Sequence, residues 1–114
     1  MSNEEVGASR TEVLQGTLDL MILQTLASLG PQHGYAVAAR LEQVSGGALQ
    51  LNMGTLYPGL TRLAARGLVT ARWGQTESNR RARFYDLTAK GRRQLERERA
   101  GWLRMAGIMA RVLE

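Results

Sequence analysis

The sequence predicts a mainly α fold with one small β-hairpin: three helices, two strands and a long last helix, in that order. Three observations carry this expectation. Apolar residues recur at helical spacing over residues 11 to 65, the spacing changes to every second residue just after Gly67, and it becomes helical again beyond Thr88. A chain of 114 residues, 44% hydrophobic and 22% charged, also has the size and composition of one ordinary globular domain.

The polar residues 1–10 read as a flexible N-terminus. From Thr11 to Leu29 a helix carries Leu14, Leu18, Ile22, Leu26 and Leu29 on one stripe, with Leu20, Leu23 and Ala27 on a second. So wide an apolar face exceeds what one side of a small domain needs. Part of it, Leu18 and Ile22 included, is expected to meet a second subunit or an effector as well as the chain's own core. Gly30-Pro31 ends the helix, because proline disfavours a helical predecessor and has no N–H to donate.

A shorter helix follows over about Gly34 to Val44, with Val37, Ala38, Leu41 and Val44 at helical spacing and Gly46-Gly47 as its stop. The third helix starts near Asn52, a good N-cap, and turns Leu56, Leu60 and Leu63 inward before Gly67 supplies a left-handed end. Pro58 inside it removes one i to i−4 bond, which bends the helix or moves its start towards Thr55. Then Val69, Ala71 and Trp73 alternate with Leu68, Thr70 and Arg72, and Phe84, Tyr85 and Leu87 form a second strand. The segment between them, Gly74 to Arg81, is polar and long enough for a mobile loop.

Thr88 caps a final helix that runs to about Val112. Leu95, Trp102 and Met109 repeat every seven residues, and Met105 and Val112 follow at the offset of three, which makes a seam suited to a partner. Gly101 and Gly107 weaken this helix by about 1 kcal/mol each relative to alanine, so they permit a close approach or the helix persists through packing.

The charge is unevenly placed. Residues 1–65 hold three arginines against five acids, whereas residues 66–114 hold twelve cations against five acids within a net charge of +5. Lys90 is the only lysine among the fifteen cations, and the planar fork of arginine suits phosphate and guanine edges. Genomic base composition accounts for an arginine-rich chain but not for the clustering.

Several classes of function are excluded. With no cysteine and a single histidine, His33, the chain offers no zinc ribbon, no thiol nucleophile and no metal cluster, and nothing calls for a cofactor. It has no Gly-rich phosphate loop and no paired carboxylates in one motif. Gln43 stands where a nucleophile elbow around Ser45 needs glycine, so no enzyme is expected. The apolar run Leu18–Leu23 is too short for a bilayer of ~30 Å, and the N-terminus is acidic where a signal peptide is basic, which suits the cytoplasm.

Three helices followed by a hairpin make a winged helix-turn-helix, whose third helix enters the DNA major groove while the hairpin touches the flanking backbone. The expected organisation is a winged-helix domain over 11–88 and a C-terminal dimerisation helix over 89–114. Arg80, Arg81 and Arg83 then sit where phosphates pass, and Asn52, Thr55, Tyr57 and Arg62 belong to the third helix. Tyr57 either reaches a phosphate or packs under the helix. The alternative is an interaction module whose basic wing meets an acidic protein without DNA. His33 could sense pH, touch a ligand or cap the second helix, and the local cap is favoured.

His33-Gly34-Tyr35, Gly54-Thr55-Leu56-Tyr57-Pro58-Gly59-Leu60-Thr61-Arg62-Leu63, Gly67-Leu68-Val69 and Arg80-Arg81-Ala82-Arg83-Phe84-Tyr85-Asp86-Leu87-Thr88-Ala89-Lys90-Gly91 together resemble the PadR family of bacterial transcriptional regulators. The resemblance covers roughly residues 12 to 113 and is closest to the family's compact branch with one C-terminal helix. It implies a homodimer that represses promoters at a near-palindromic operator on double-stranded DNA and often responds to a small effector. By the same resemblance Tyr35, Thr55, Tyr57, Arg80, Arg81 and Arg83 correspond to DNA-contacting positions. Trp102 corresponds to a tryptophan that stacks on flat aromatic ligands in multidrug-binding members, although its place on the seam favours dimer-core packing. Phe84 stands where the family's paired-aromatic wing strand more usually has tyrosine.

Overall fold

The protein is described by a computed structural model, which covers the backbone of residues 3–114 and the side chains of residues 16–114. Its elements run α1 (Asn3–Leu29), β1 (Gln32–His33), α2 (Gly34–Val44), α3 (Met53–Ala65), β2 (Val69–Gln75), β3 (Arg81–Leu87) and α4 (Ala89–Val112). This is the winged arrangement, mainly α with a small antiparallel sheet. Helix α1 begins earlier than the expected Thr11, and the side chains of the expected flexible segment 1–10, with that of Leu14, lie outside the described residues.

Side chains start three of the helices. His33 Nδ1 accepts from the Ala36 amide at 3.3 Å, Asn52 Oδ1 from the Thr55 amide at 2.9 Å, and Thr88 Oγ1 from the Gly91 amide at 2.9 Å. Each supplies an acceptor to a first-turn N–H that has no partner within its helix. The cap reading of His33 is therefore the one realised. Asn52 caps α3 and Pro58 lies inside the helix, so the start is not displaced towards Thr55. Gly30 and Gly67, at φ of 78° and 74°, follow α1 and α3 in the left-handed region that residues with a Cβ avoid.

Residues from every layer build one core. Ile22, Leu23 and Leu26 of α1 meet Val37 and Leu41 of α2, Leu56, Leu60 and Leu63 of α3, and Val69 and Tyr85 of the sheet. Gly59 lets α3 come close to α1, since a Cβ there would stand 3.1 Å from Ile22 Cδ1. Leu18, Ile22 and Leu95, expected at an effector or dimer interface, are buried within the chain itself. Hydrophobic periodicity identified their faces correctly, but the covering surface is the chain's own. Gly101 and Gly107 make no close approach among the described residues: the nearest such atom to an added Cβ is 3.9 Å away at Gly101, and none lies within 4 Å at Gly107.

The sheet contains a strand the sequence reading did not include. Residues Gln32 and His33 pair with Tyr85 and Phe84, giving the order β1-β3-β2. The hairpin is also longer, and its connection shorter, than expected. Gly74 pairs with Ala82 and Gln75 with Arg81, so only residues 76–80 form the tip. Within the tip the Thr76 amide donates to the Arg80 carbonyl at 2.9 Å, the Arg80 amide donates to Thr76 Oγ1 at 3.2 Å, and Asn79 takes a φ of 62°. Asparagine tolerates that left-handed conformation better than most residues.

The start of α4 is locked to the turn after α3. The Thr88 hydroxyl donates to the Gly67 and Leu68 carbonyls at 2.8 and 3.1 Å, and Lys90 Nζ donates to the Arg66 carbonyl at 2.8 Å. The lysine thus places its charge at the negative end of the α3 dipole. Hairpin, third helix and last helix are held as one frame, which fixes the hairpin relative to α3.

Candidate nucleic-acid interface

The register of the hairpin puts Ala71, Trp73 and Gln75 on the same face as Tyr85, Arg83 and Arg81. Near the body that face is core, with Val69 and Tyr85 buried; towards the tip it becomes exposed and cationic. Burial raises the pKa of the Tyr85 hydroxyl above its ordinary 10.0, with Arg83 lowering it and Tyr57 raising it as smaller influences. The phenol therefore stays neutral and able to donate near neutral pH. On the opposite face Phe84 packs over Gly74, where a Cβ would stand 2.9 Å from the ring, and its ring meets His33 edge-on with centroids 5.4 Å apart.

Between the wing and the start of α2 lies a cleft of about 1300 Å³. Tyr35, Tyr57, Trp73, Arg80, Arg81 and Arg83 line it. Tyr35 is 68% exposed at the first turn of α2, and Tyr57 is 42% exposed on α3, its ring 3.5 Å from where a Cβ at Gly34 would stand. The Tyr57 ring thus stands beside the start of α2 while much of it faces solvent. Arg80, Arg81 and Arg83 are exposed, and among the described residues none of their side chains makes an ion pair or a hydrogen bond.

The remaining sequence candidates lie apart from this cleft. Asn52 and Thr55 are exposed at the N-terminus of α3, where the Thr55 hydroxyl donates to Asn52 Oδ1 at 3.2 Å. Arg62 is committed elsewhere: its Nη2 donates to Asp19 Oδ1 at 3.0 Å, tying α3 to α1. One of its donors is thus held by a largely buried carboxylate, while the Arg62 side chain itself stays 36% exposed. Trp73, 57% exposed, was not among the sequence candidates although it lines the cleft. The aromatic-basic alternation of Trp73, Arg81 and Arg83 was the available signal, but it needs the strand register to be read.

A second feature shares no lining residue with this cleft. Trp102, Met105, Met109 and Val112 are exposed along α4, and Trp102 and Leu103 border a groove of about 520 Å³ that also touches Leu20, Met21 and Val44. Among the described residues no helix is long and apolar enough to cross a membrane.

A family model described as the transcriptional regulator PadR-like family matches residues 22–97, from the middle of α1 into α4. The chain belongs to the PadR-like family of transcriptional regulators. A 37.1 kDa transposon protein of Streptomyces fradiae is 43% identical over 88 residues, 77% of this chain but 24% of that protein. The chain thus spans about a quarter of that relative's length. A PadR family regulator from Eggerthella lenta, solved as a crystal structure, superimposes at TM-score 0.77 with 28% identity, covering 98% of this chain and 95% of that one. A transcriptional regulator from Clostridium thermocellum shares the fold at TM-score 0.80 and 21% identity, covering 90% of this chain and 99% of that one. PadR-like proteins are transcriptional regulators rather than enzymes, and membership favours DNA binding over the module without DNA.

Proposed function

We propose that this PadR-like regulator is a repressor that acts as a homodimer on a near-palindromic operator in cytoplasmic DNA. The observation that carries this reading is the group of three wing arginines, which pair with no carboxylate among the described residues, beside the two exposed tyrosines of α2 and α3. Each phosphate neutralised by such a cation releases counterions, so these residues supply affinity, while the exposed start of α3 with Asn52 and Thr55 supplies contacts to base edges. Met105, Met109 and Val112 of α4, beside the groove, form the dimer contact. Two such subunits present their recognition helices about one DNA turn, ~34 Å, apart.

A small flat aromatic effector is assigned to the neighbourhood of Trp102, whose ring borders the apolar groove; its binding would alter the spacing of the two α3 helices. In the Trp73→Phe variant Trp102 is the remaining tryptophan, and such a ligand is expected to quench its emission.

Selection from a random duplex library tests the function. The expected result is an inverted repeat with half-site centres one turn apart, and a reporter placed behind that repeat falls in expression when the protein is present. A single asymmetric site, or a reporter that rises, would count against the dimeric repressor.

A further inference from the structure

We infer that Trp73 is a positioning residue of the DNA interface: its ring holds Arg81 and Arg83 ready for phosphates. The inference rests on the reading of the wing as a DNA-binding element. The Cζ atoms of Arg81 and Arg83 lie 4.3 and 5.5 Å from the centre of the Trp73 ring, within reach of a cation–π attraction. Arg83 stands directly opposite Trp73 in the sheet, and Arg81 pairs with Gln75, one step further out on the same face.

A single cation beside a ring would be an ordinary cross-strand pair. Two cations converging on one ring are harder to explain as hairpin stabilisation alone. They repel each other, and no carboxylate among the described residues pairs with either. Glu77, in the tip between the strands, makes no ion pair with them. The ring is also far from core: it is 57% exposed and lines the same cleft as Tyr35 and Tyr57.

The chemistry of the arginine side chain makes this arrangement useful. Stacking engages the flat face of a guanidinium and leaves its in-plane N–H donors for an anion, whereas a salt bridge consumes them. Arg62 shows the contrast within one chain, since its Nη2 is spent on Asp19. A free arginine must also give up rotamer entropy when it meets a phosphate, and a stacked one has already lost part of that freedom. Trp73 therefore lowers the ordering cost of two phosphate contacts without adding a contact of its own.

The test uses the full chain and a fluorescein-labelled duplex of about 30 random base pairs, because phosphate contacts do not depend on sequence. Binding is followed by anisotropy over a range of salt concentrations, with thermal melting of each variant alongside. Trp73→Ala is expected to weaken binding about five- to thirtyfold at low salt. The slope of log affinity against log salt should stay as in the unaltered chain, because the number of phosphates neutralised is unchanged. Trp73→Phe keeps a ring and should restore affinity to within about twofold. The control, Arg81→Ala with Arg83→Ala, should reduce the slope by about two.

Full-strength binding by Trp73→Ala, with the double arginine variant weak, would overturn the role of Trp73 and leave the wing reading intact. A slope that falls in Trp73→Ala as far as in the double variant would mean that the ring maintains the shape of the hairpin and does not merely pre-order the two arginines, which overturns the proposal. Equal weakness of the Phe and Ala variants would likewise remove the ring from the account. If the double variant itself binds at full strength with an unchanged slope, the wing reading and the role of Trp73 fall together.

Discussion

Gly91 in the first turn of α4 lies against the carbonyl of Leu68, so closely that a Cβ at this position would run into the oxygen. The same carbonyl accepts from the Thr88 amide and the Thr88 hydroxyl, both at 3.1 Å. The obstruction is therefore backbone already held by hydrogen bonds, with no side chain that can swing away. Gly91→Ala must push α4 off the hairpin or break those bonds, and is expected to cost about 2–3 kcal/mol. Urea unfolding measures it. Gly107→Ala, where an added Cβ meets nothing within 4 Å among the described residues, should instead stabilise by up to about 1 kcal/mol.

The Asp19–Arg62 pair separates a structural arginine from the wing arginines. Its 3.0 Å contact is partly exposed, with side-chain exposures of 36% for Arg62 and 14% for Asp19. Solvent screening limits its worth to about 1 kcal/mol or less. Arg62→Met should lower the melting temperature by a few degrees while leaving the salt slope of duplex binding unchanged. A slope that drops by about one would return Arg62 to the set of phosphate contacts.

What could be read in the residues themselves, and what could not, follows from the range of the interactions. The caps at Asn52 and Thr88 and the glycines after α1 and α3 are local, involving neighbours within four residues, and all stand as the sequence implies. The core positions of α3 also follow from spacing alone. By contrast, Arg62 finds its partner 43 residues away, and no pattern in α3 announces it. Leu18 and Ile22 lie on the expected apolar face, but periodicity cannot say whether a face is covered by its own chain or by another. Strand β1 has two residues, too few to show an alternation, and exists because β3 offers an open edge. The pairing of Trp73 with Arg83 needed the register, which the tip length alone left undetermined.

Alkaline pH should loosen the fold through Tyr85. Burial holds its hydroxyl above the ordinary value of 10.0, so between that pH and the raised folded value the folded chain keeps a proton that the unfolded chain has released. Stability is complete below about pH 10 and declines as pH climbs through the folded pKa. Tyr85→Phe has no such proton and should flatten this decline when unfolding is followed from pH 9 to 11. An alkaline limb equally steep in the variant would assign it to other groups.

The exposed side of α4 yields the prediction on which the dimer depends. Met109 is 48% exposed in the single chain and shares a face with Trp102, Met105 and Val112. Burying four such side chains in each of two copies is a gain that water-exposed helices do not obtain. A two-fold interface presents every substitution twice, so Met109→Glu brings two carboxylates into an apolar contact. The dimer dissociation constant should rise by at least about a hundredfold, read by analytical ultracentrifugation. The monomer should stay folded, because Met109 contributes nothing to its buried core. Duplex affinity and the salt slope should fall together, since each monomer carries half of the phosphate contacts. A Met109→Glu chain that remains dimeric at micromolar concentration would move the proposed interface to another face.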